Sequence, residues 1–223
     1  GNGGSGFVVV RYQIGTIDSA KATGGAISFY NDKTIHVFTS SGTFVNPGSI
    51  SNAEIVMIGA GGAGGNNIAG GGGAGAVMEG SSLTMPANTY TITVGAGGAG
   101  KSSLGVETPG TATDTTITYP GPYTITAQRG GYGGGYTDTV AQPGGSGGGG
   151  ATVSPSNGGS STKADQTVPI GSFTSYGNAG GTVAGSFWGG GGGGAGSVGG
   201  AGDVEEGTPP SSTGGDGGDG RQL

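Results

Sequence analysis

The chain has 223 residues, of which 61 are glycine and 10 proline, with no cysteine, one histidine and a formal net charge of −6. Only 9% of residues are charged, so it lacks the basic footprint that phosphate backbones demand, which argues against a nucleic-acid partner. It also has no thiol for a disulfide, a redox step or a thiolate metal site. No apolar run approaches the roughly 20 residues that carry a helix across a bilayer, so no membrane insertion is expected.

Glycine at this density is the mark of low-complexity chains. Islands rich in Val, Ile, Phe and Tyr nevertheless punctuate it and suffice for one modest core. The expected fold class is all-β, a small antiparallel sandwich with long glycine-rich loops. The opening Gly1-Asn2-Gly3-Gly4, without initiator methionine or signal segment, reads as part of a longer product or a processed form.

In chain order, Phe7-Val8-Val9-Val10-Arg11-Tyr12 lies between glycines and reads as a strand buried on both faces. Residues 15–33 read as a linker, so 1–14 stands apart as a strand closing a preceding or neighbouring unit. A sandwich core is expected over 34–129. Thr34 to Thr39 alternates with period two, and Ser40-Ser41-Gly42 supplies a turn into Thr43-Phe44-Val45, predicting a hairpin. Glu54-Ile55-Val56-Met57-Ile58 is a continuous apolar run expected to be covered on both faces. Ala74 to Glu79 and Thr89 to Val94 are read as the next pair, with Tyr90, Ile92 and Val94 on one face. Asp114 to Tyr119 and Tyr123 to Gln128 flank Pro120-Gly121-Pro122 as a further hairpin. From 130 to 223 the pattern collapses into Gly, Ser, Ala and Thr, and no helix beyond a turn or two is expected.

Blocks such as Gly70 to Gly73, Gly147 to Gly150 and Gly189 to Gly194 admit two readings. Solvated, they are flexible linkers; packed side by side, they form polyglycine-II-like helices with about three residues per turn, whose bare backbones exchange hydrogen bonds. The second reading follows naturally where blocks leave adjacent strand ends, as after Ile58 and Val94. Collagen is excluded because no strict Gly-X-Y period runs through them.

Several chemical motifs are weak on their own terms. Gly95-Ala96-Gly97-Gly98-Ala99-Gly100-Lys101-Ser102 matches the phosphate-loop pattern, but Ser103 to Pro109 leaves no room for the helix that the pattern needs, so no nucleotide is expected. Gly144-Gly145-Ser146-Gly147-Gly148 matches G-x-S-x-G inside a glycine run rather than on a strand-to-helix elbow. His36, out of phase with Ile35 and Val37, is expected to face solvent or a polar neighbour, and one histidine without cysteine makes no ordinary zinc site. Carboxylates collect late, with Asp203, Glu205, Glu206, Asp216 and Asp219; Asp216 and Asp219 are the weak calcium candidates. No catalytic residue and no cofactor is expected. Tyr132, Tyr136, Phe187 and Trp188 have few apolar sequence neighbours and are the candidate contacts for a glycan or protein, or else pack on glycine backbones.

Val37-Phe38-Thr39-Ser40-Ser41-Gly42-Thr43-Phe44-Val45 followed by Ala53-Glu54-Ile55-Val56-Met57-Ile58-Gly59-Ala60-Gly61-Gly62 resembles a glycine-rich β-module of bacteriophage tail-fibre and tip proteins and of tandem-repeat bacterial surface proteins. Such modules close on a segment like Gly3 to Tyr12, which here comes first, so the chain looks circularly shifted. The resemblance implies a non-enzymatic fibre or surface module on a virion or an extracellular surface. Its copies would assemble head to tail, either by adding the Phe7 to Tyr12 strand to a neighbour's open sheet edge or with that strand paired at home. The alternative it implies is an adhesin tip that recognises a host glycan or protein.

Overall fold

Period-two alternation of Val, Ile, Thr and Tyr extends the backbone and sends successive side chains to opposite faces. The computed structural model of the chain describes residues 1–14, 21–100, 110–135, 140–151, 157–183, 188–204 and 212–222, and contains strands without helix among them. The strands in chain order are β1 (Phe7–Gln13), β2 (Ala26–Tyr30), β3 (Lys33–Phe38), β4 (Gly42–Asn46), β5 (Ile50–Ile58), β6 (Val77–Met85), β7 (Asn88–Thr93), β8 (Thr115–Tyr119), β9 (Tyr123–Ala127), β10 (Gln166–Val168), β11 (Gly171–Tyr176), β12 (Asp203–Val204) and β13 (Ser212–Thr213).

They build an antiparallel seven-stranded sheet in the order β10-β11-β6-β5-β1-β3-β2, a four-stranded sheet β4-β7-β8-β9 and a small β12-β13 ribbon. The two larger sheets share one core. Val8, Val10, Tyr12, Ile55, Met57, Met78 and Leu83 from the first meet Phe44, Tyr90, Ile92, Ile117 and Ile125 from the second. A ladder of rings runs through it: His36 stands edge-on to Phe44 at 5.0 Å, Phe44 lies 6.0 Å from Tyr90, and Tyr90 lies 5.2 Å from Tyr119. The all-β sandwich expected from the sequence is the observed architecture.

Several local expectations are corrected. The stretch read as a linker contains β2, because Asn31 and Asp32 take positive φ (48° and 58°) and close a two-residue hairpin from β2 into β3. Residues 34–45 do not form a hairpin: β3 pairs with β1 and β2 while β4 pairs with β7, so Ser40-Ser41 crosses from one sheet to the other. β6 and β7 separate in the same way. The core does not end near residue 129, since β10 and β11 extend the larger sheet beside β6. β1 and β5 are covered on one face only. Val8, Val10, Ile55 and Met57 are buried, whereas Phe7, Val9, Val56 and Ile58 on the outer face are half-buried. The half-buried strand read over Thr89 to Val94, with Tyr90 and Ile92 inward, and the β8-β9 hairpin stand as read, although that strand pairs with β4 and β8 rather than with β6.

Candidate functional site

The glycine blocks leave the sandwich and pack into a bundle held by backbone hydrogen bonds. Segment 59–65 runs outward from β5 and 70–76 returns to β6; the amides of Gly59, Gly62 and Gly65 donate to the carbonyls of Ala76, Gly73 and Gly70. On another side of the same segment, Ala60 and Ala63 accept from Gly130 and Gly133. Contacts that recur every third residue on separate faces are the signature of an extended left-handed helix with about three residues per turn.

Residues 144–150 form the axis of this bundle, and all of them are buried. Their amides donate in turn to Ser160, Arg129, Ala74, Asn178, Gln142, Gly71 and Gly181. Their carbonyls accept from Thr162, the Ser161 hydroxyl, Gly131, Gly193, Gly159, Gly134 and Gly190. Every backbone polar group of the axis is thus satisfied, which is what offsets the high entropy cost of ordering a glycine run away from water. Packing this close leaves no room for side chains: a Cβ on Gly148 would fall on the carbonyl of Tyr132, and one on Gly147 on that of Gly159.

The N-terminal segment enters both layers. Gly3 and Gly6 donate to Gly98 and Gly95, while Gly4 and Gly1 accept from Gly61 and Gly64, so residues 1–6 lie between two outgoing glycine helices. The chain then continues as β1 between β3 and β5 of its own sheet. In this chain, therefore, Phe7, Val8, Val9, Val10, Arg11 and Tyr12 close their own unit.

Two polar groups fix β1 in place. Inward, the Tyr12 hydroxyl accepts from the Ala22 amide (3.1 Å) and lies 3.0 Å from His36 Nε2. His36 Nδ1 lies 2.7 Å from the Gly24 carbonyl, which only accepts, so Nδ1 carries the proton and Nε2 receives the one from Tyr12. His36 is 0% exposed, so of the two expected surroundings, solvent or a polar neighbour, it has the polar neighbours, and burial lowers its pKa in spite of the Gly24 contact. Outward, the carboxylate of Glu54 bonds Arg11 and, at 2.9 Å, Lys33. Burial alone would raise the Glu54 pKa, but the two cations outweigh it and hold it low.

A family model described as a glycine-rich domain matches residues 39–223. The chain belongs to this glycine-rich domain family. Comparison with curated proteins and with solved structures returned no match. The matched span contains the bundle but begins after β1, β2 and β3. The element that completes the sheet of this glycine-rich domain thus lies outside the matched region.

Within the glycine-rich domain, the remaining sequence candidates are scattered. The phosphate-loop stretch is built into the bundle: Gly95, Ala96, Gly98 and Gly100 already donate to Thr115 Oγ1, Thr113 Oγ1, the Gly61 carbonyl and Asn2 Oδ1, and Lys101 and Ser102 lie outside the described residues. Ser146 is 0% exposed, its hydroxyl bonded to the Gly194 carbonyl and the Asn178 amide. Among the described residues no group of acidic or histidine side chains is placed to hold a metal ion; Asp219 is tied to Ser197, and the Asp216 carbonyl accepts from Gly200. Tyr132 is half-buried in the bundle, Trp188 is 39% exposed, and Tyr136 and Phe187 lie outside the described residues. Sequence reasoning missed Gln166, whose amide bonds both backbone groups of Thr126, and Thr23, which bonds both backbone groups of Val45. Neither carries a periodic signal.

Proposed function

We propose that this glycine-rich domain is a non-enzymatic structural module of a virion fibre or an extracellular surface. Its copies join head to tail by exchange, residues 1–13 leaving the seat they fill in the single chain for the same seat in the neighbouring copy. The observation that carries the reading is the seat of that segment. It fills a slot in the middle of the sheet and another in the bundle, every described contact there is the kind a second copy supplies equally well, and it lies outside the span that defines the family. Without β1 the larger sheet divides into β10-β11-β6-β5 and β3-β2, leaving two open edges for an incoming strand. The bundle contributes stiffness, since its backbone groups are satisfied within the module.

The chain has no cysteine, so cross-links report the exchange directly. Val9 is the register partner of Val56 on the half-buried outer face. Protein refolded as a mixture of Val9→Cys and Val56→Cys should form disulfide-linked pairs on oxidation, and the double variant a ladder. A double variant that closes only within single chains, at every protein concentration, refutes joining through β1.

The adhesin reading has one specific observation in its favour. At the bundle end away from the sheets, Ile68 holds φ at 47°, which is strained for a β-branched residue, and is 39% exposed; the neighbouring Ala69 carbonyl abuts Gly189, next to the exposed Trp188. A tip that binds a host glycan or protein would lose host-surface binding in Trp188→Ala without loss of stability.

A further inference from the structure

Open sheet edges invite pairing, and folds usually blunt them. Here the edges are treated unequally. The outer side of β4 is covered by Thr23, whose amide and carbonyl both bond Val45 at 2.9 Å. The outer side of β9 is covered by Gln166: its Oε1 accepts from the Thr126 amide at 3.0 Å and its Nε2 donates to the Thr126 carbonyl at 2.7 Å, so a side-chain amide stands in for a strand residue. The β10 edge is only 3 residues long.

β2, the remaining edge, has none of these protections among the described residues. It spans 5 residues, Ala-Ile-Ser-Phe-Tyr, all exposed, with no charge, no proline and no bulge. Ile27 and Phe29 share a face with the buried His36 and Thr34, their register partners, yet remain 42% and 44% exposed because the four-stranded sheet does not reach over them. Tyr30, on the opposite face, is 70% exposed.

The hydrogen-bond phase of this edge follows from its turn. A two-residue hairpin with both turn residues left-handed closes on a hydrogen-bonded pair, here Tyr30 and Lys33. Tyr30, Ser28 and Ala26 therefore spend their backbone groups on β3, and Ile27 and Phe29 direct theirs at the open edge.

We infer that β2 is a self-association edge, and that its occupant is the β2 strand of a second copy, antiparallel about a two-fold axis through Ser28. Only that register overlaps all five residues. It places Ile27 opposite Phe29, so that each amide meets the other's carbonyl on both sides of the axis. It also puts the small Ala26 opposite the large Tyr30. The partner's Ile27 and Phe29 extend the apolar inner face, and no like charges meet. The contact is isologous and closes as a dimer, with the two seven-stranded sheets continuous across the axis. It uses a surface separate from β1, so lateral pairing and head-to-tail joining can fail independently.

The test uses the intact chain. For chains whose β1 pairs within its own sheet, sedimentation equilibrium should give a dimer, reduced to monomer mass by Phe29→Lys, which sets two charges against the apolar patch, and by Ile27→Pro, which removes an edge donor without touching β3. Circular dichroism of both variants should match the parent. Ser28→Cys sits on the axis in a non-hydrogen-bonded pair, so on oxidation it should convert to a disulfide-linked dimer. Ala26→Cys alone should not, but mixed with Tyr30→Cys it should cross-link. A parent chain that stays monomeric while Ser28→Cys cross-links no faster than Ala26→Cys overturns the proposal. So does a dimer that survives both Ile27→Pro and Phe29→Lys, or one whose only cross-links run through Val9 and Val56.

Discussion

Tyr12 donates its hydroxyl proton to Nε2 of His36 across 3.0 Å, locking the single histidine as the neutral tautomer protonated on Nδ1. One bond thereby ties β1 to β3 in the core.

Burial of that histidine sets the acid limb of stability. Burial holds the folded His36 below its ordinary 6.5, so below that pH the unfolded chain takes up a proton that the folded chain refuses. Stability should fall as pH drops through 6.5 and level off once the folded histidine titrates. Denaturant unfolding of His36→Gln across this range should show the slope gone and a loss of about 1–3 kcal/mol at neutral pH, since Tyr12 loses its acceptor geometry. Glu54 produces a separate drop, because its stabilising charge is lost only as pH falls below 4.5.

Tyr90 sets the alkaline limb. Burial, reinforced by the nearby Tyr119, pushes its pKa to about 12, and its hydroxyl donates to the Pro86 carbonyl at 2.9 Å. A raised pKa contributes stability that is complete below the unfolded value of 10.0 and drains away as pH climbs to about 12. Tyr90→Phe should lose about 1 kcal/mol at neutral pH and unfold with a shallower alkaline slope, read by tyrosinate absorbance against circular dichroism.

Adjacent glycines should respond oppositely. A Cβ on Gly62 falls on the Gly131 carbonyl, whereas on Gly61 its nearest neighbour is the Gly4 amide at an ordinary 3.4 Å. Gly62→Ala should cost about 3 kcal/mol through overpacking against backbone. Gly61→Ala should be neutral or stabilise by about 0.5 kcal/mol, because alanine has less unfolded freedom to lose. Thermal melts of the two variants decide it; equal responses would mean the bundle is not packed.

Gln166→Ala should uncover the β9 edge. A loss of about 1 kcal/mol is expected, together with faster aggregation by light scattering. Gln166→Glu, which keeps the acceptor for the Thr126 amide and loses the donor, should fall between the two.

Strand existence was readable wherever period two met β-type residues, as at Tyr90 and Ile92, and the β8-β9 hairpin followed from its Pro-Gly-Pro turn. Partner choice was not readable. Ser40-Ser41-Gly42 looks the same whether it turns a hairpin or crosses between sheets, and only the long-range pairing of Phe44 with Tyr90 decides. For His36, expected to face solvent or a polar neighbour, phase alone did not decide between the two; Ile35 and Val37 lie on the half-buried outside while the histidine points inward to the Tyr12 hydroxyl and the Gly24 carbonyl. In the bundle, the glycines at 59, 62 and 65 do carry a period of three, but glycine on both sides of so many positions hides it, and their partners lie far along the chain.

The three-residue repeat also sets a rule for how such a chain can change length. Gly59, Gly62 and Gly65 each keep a fixed partner on the returning segment. Adding or removing one or two residues between them rotates every later amide onto the wrong neighbour, whereas a full turn restores the facing. Insertions within the packed segments should therefore be tolerated in whole turns, and those in the connections at the far end in any number. The lattice would thus hold its register while the connections it carries diversify.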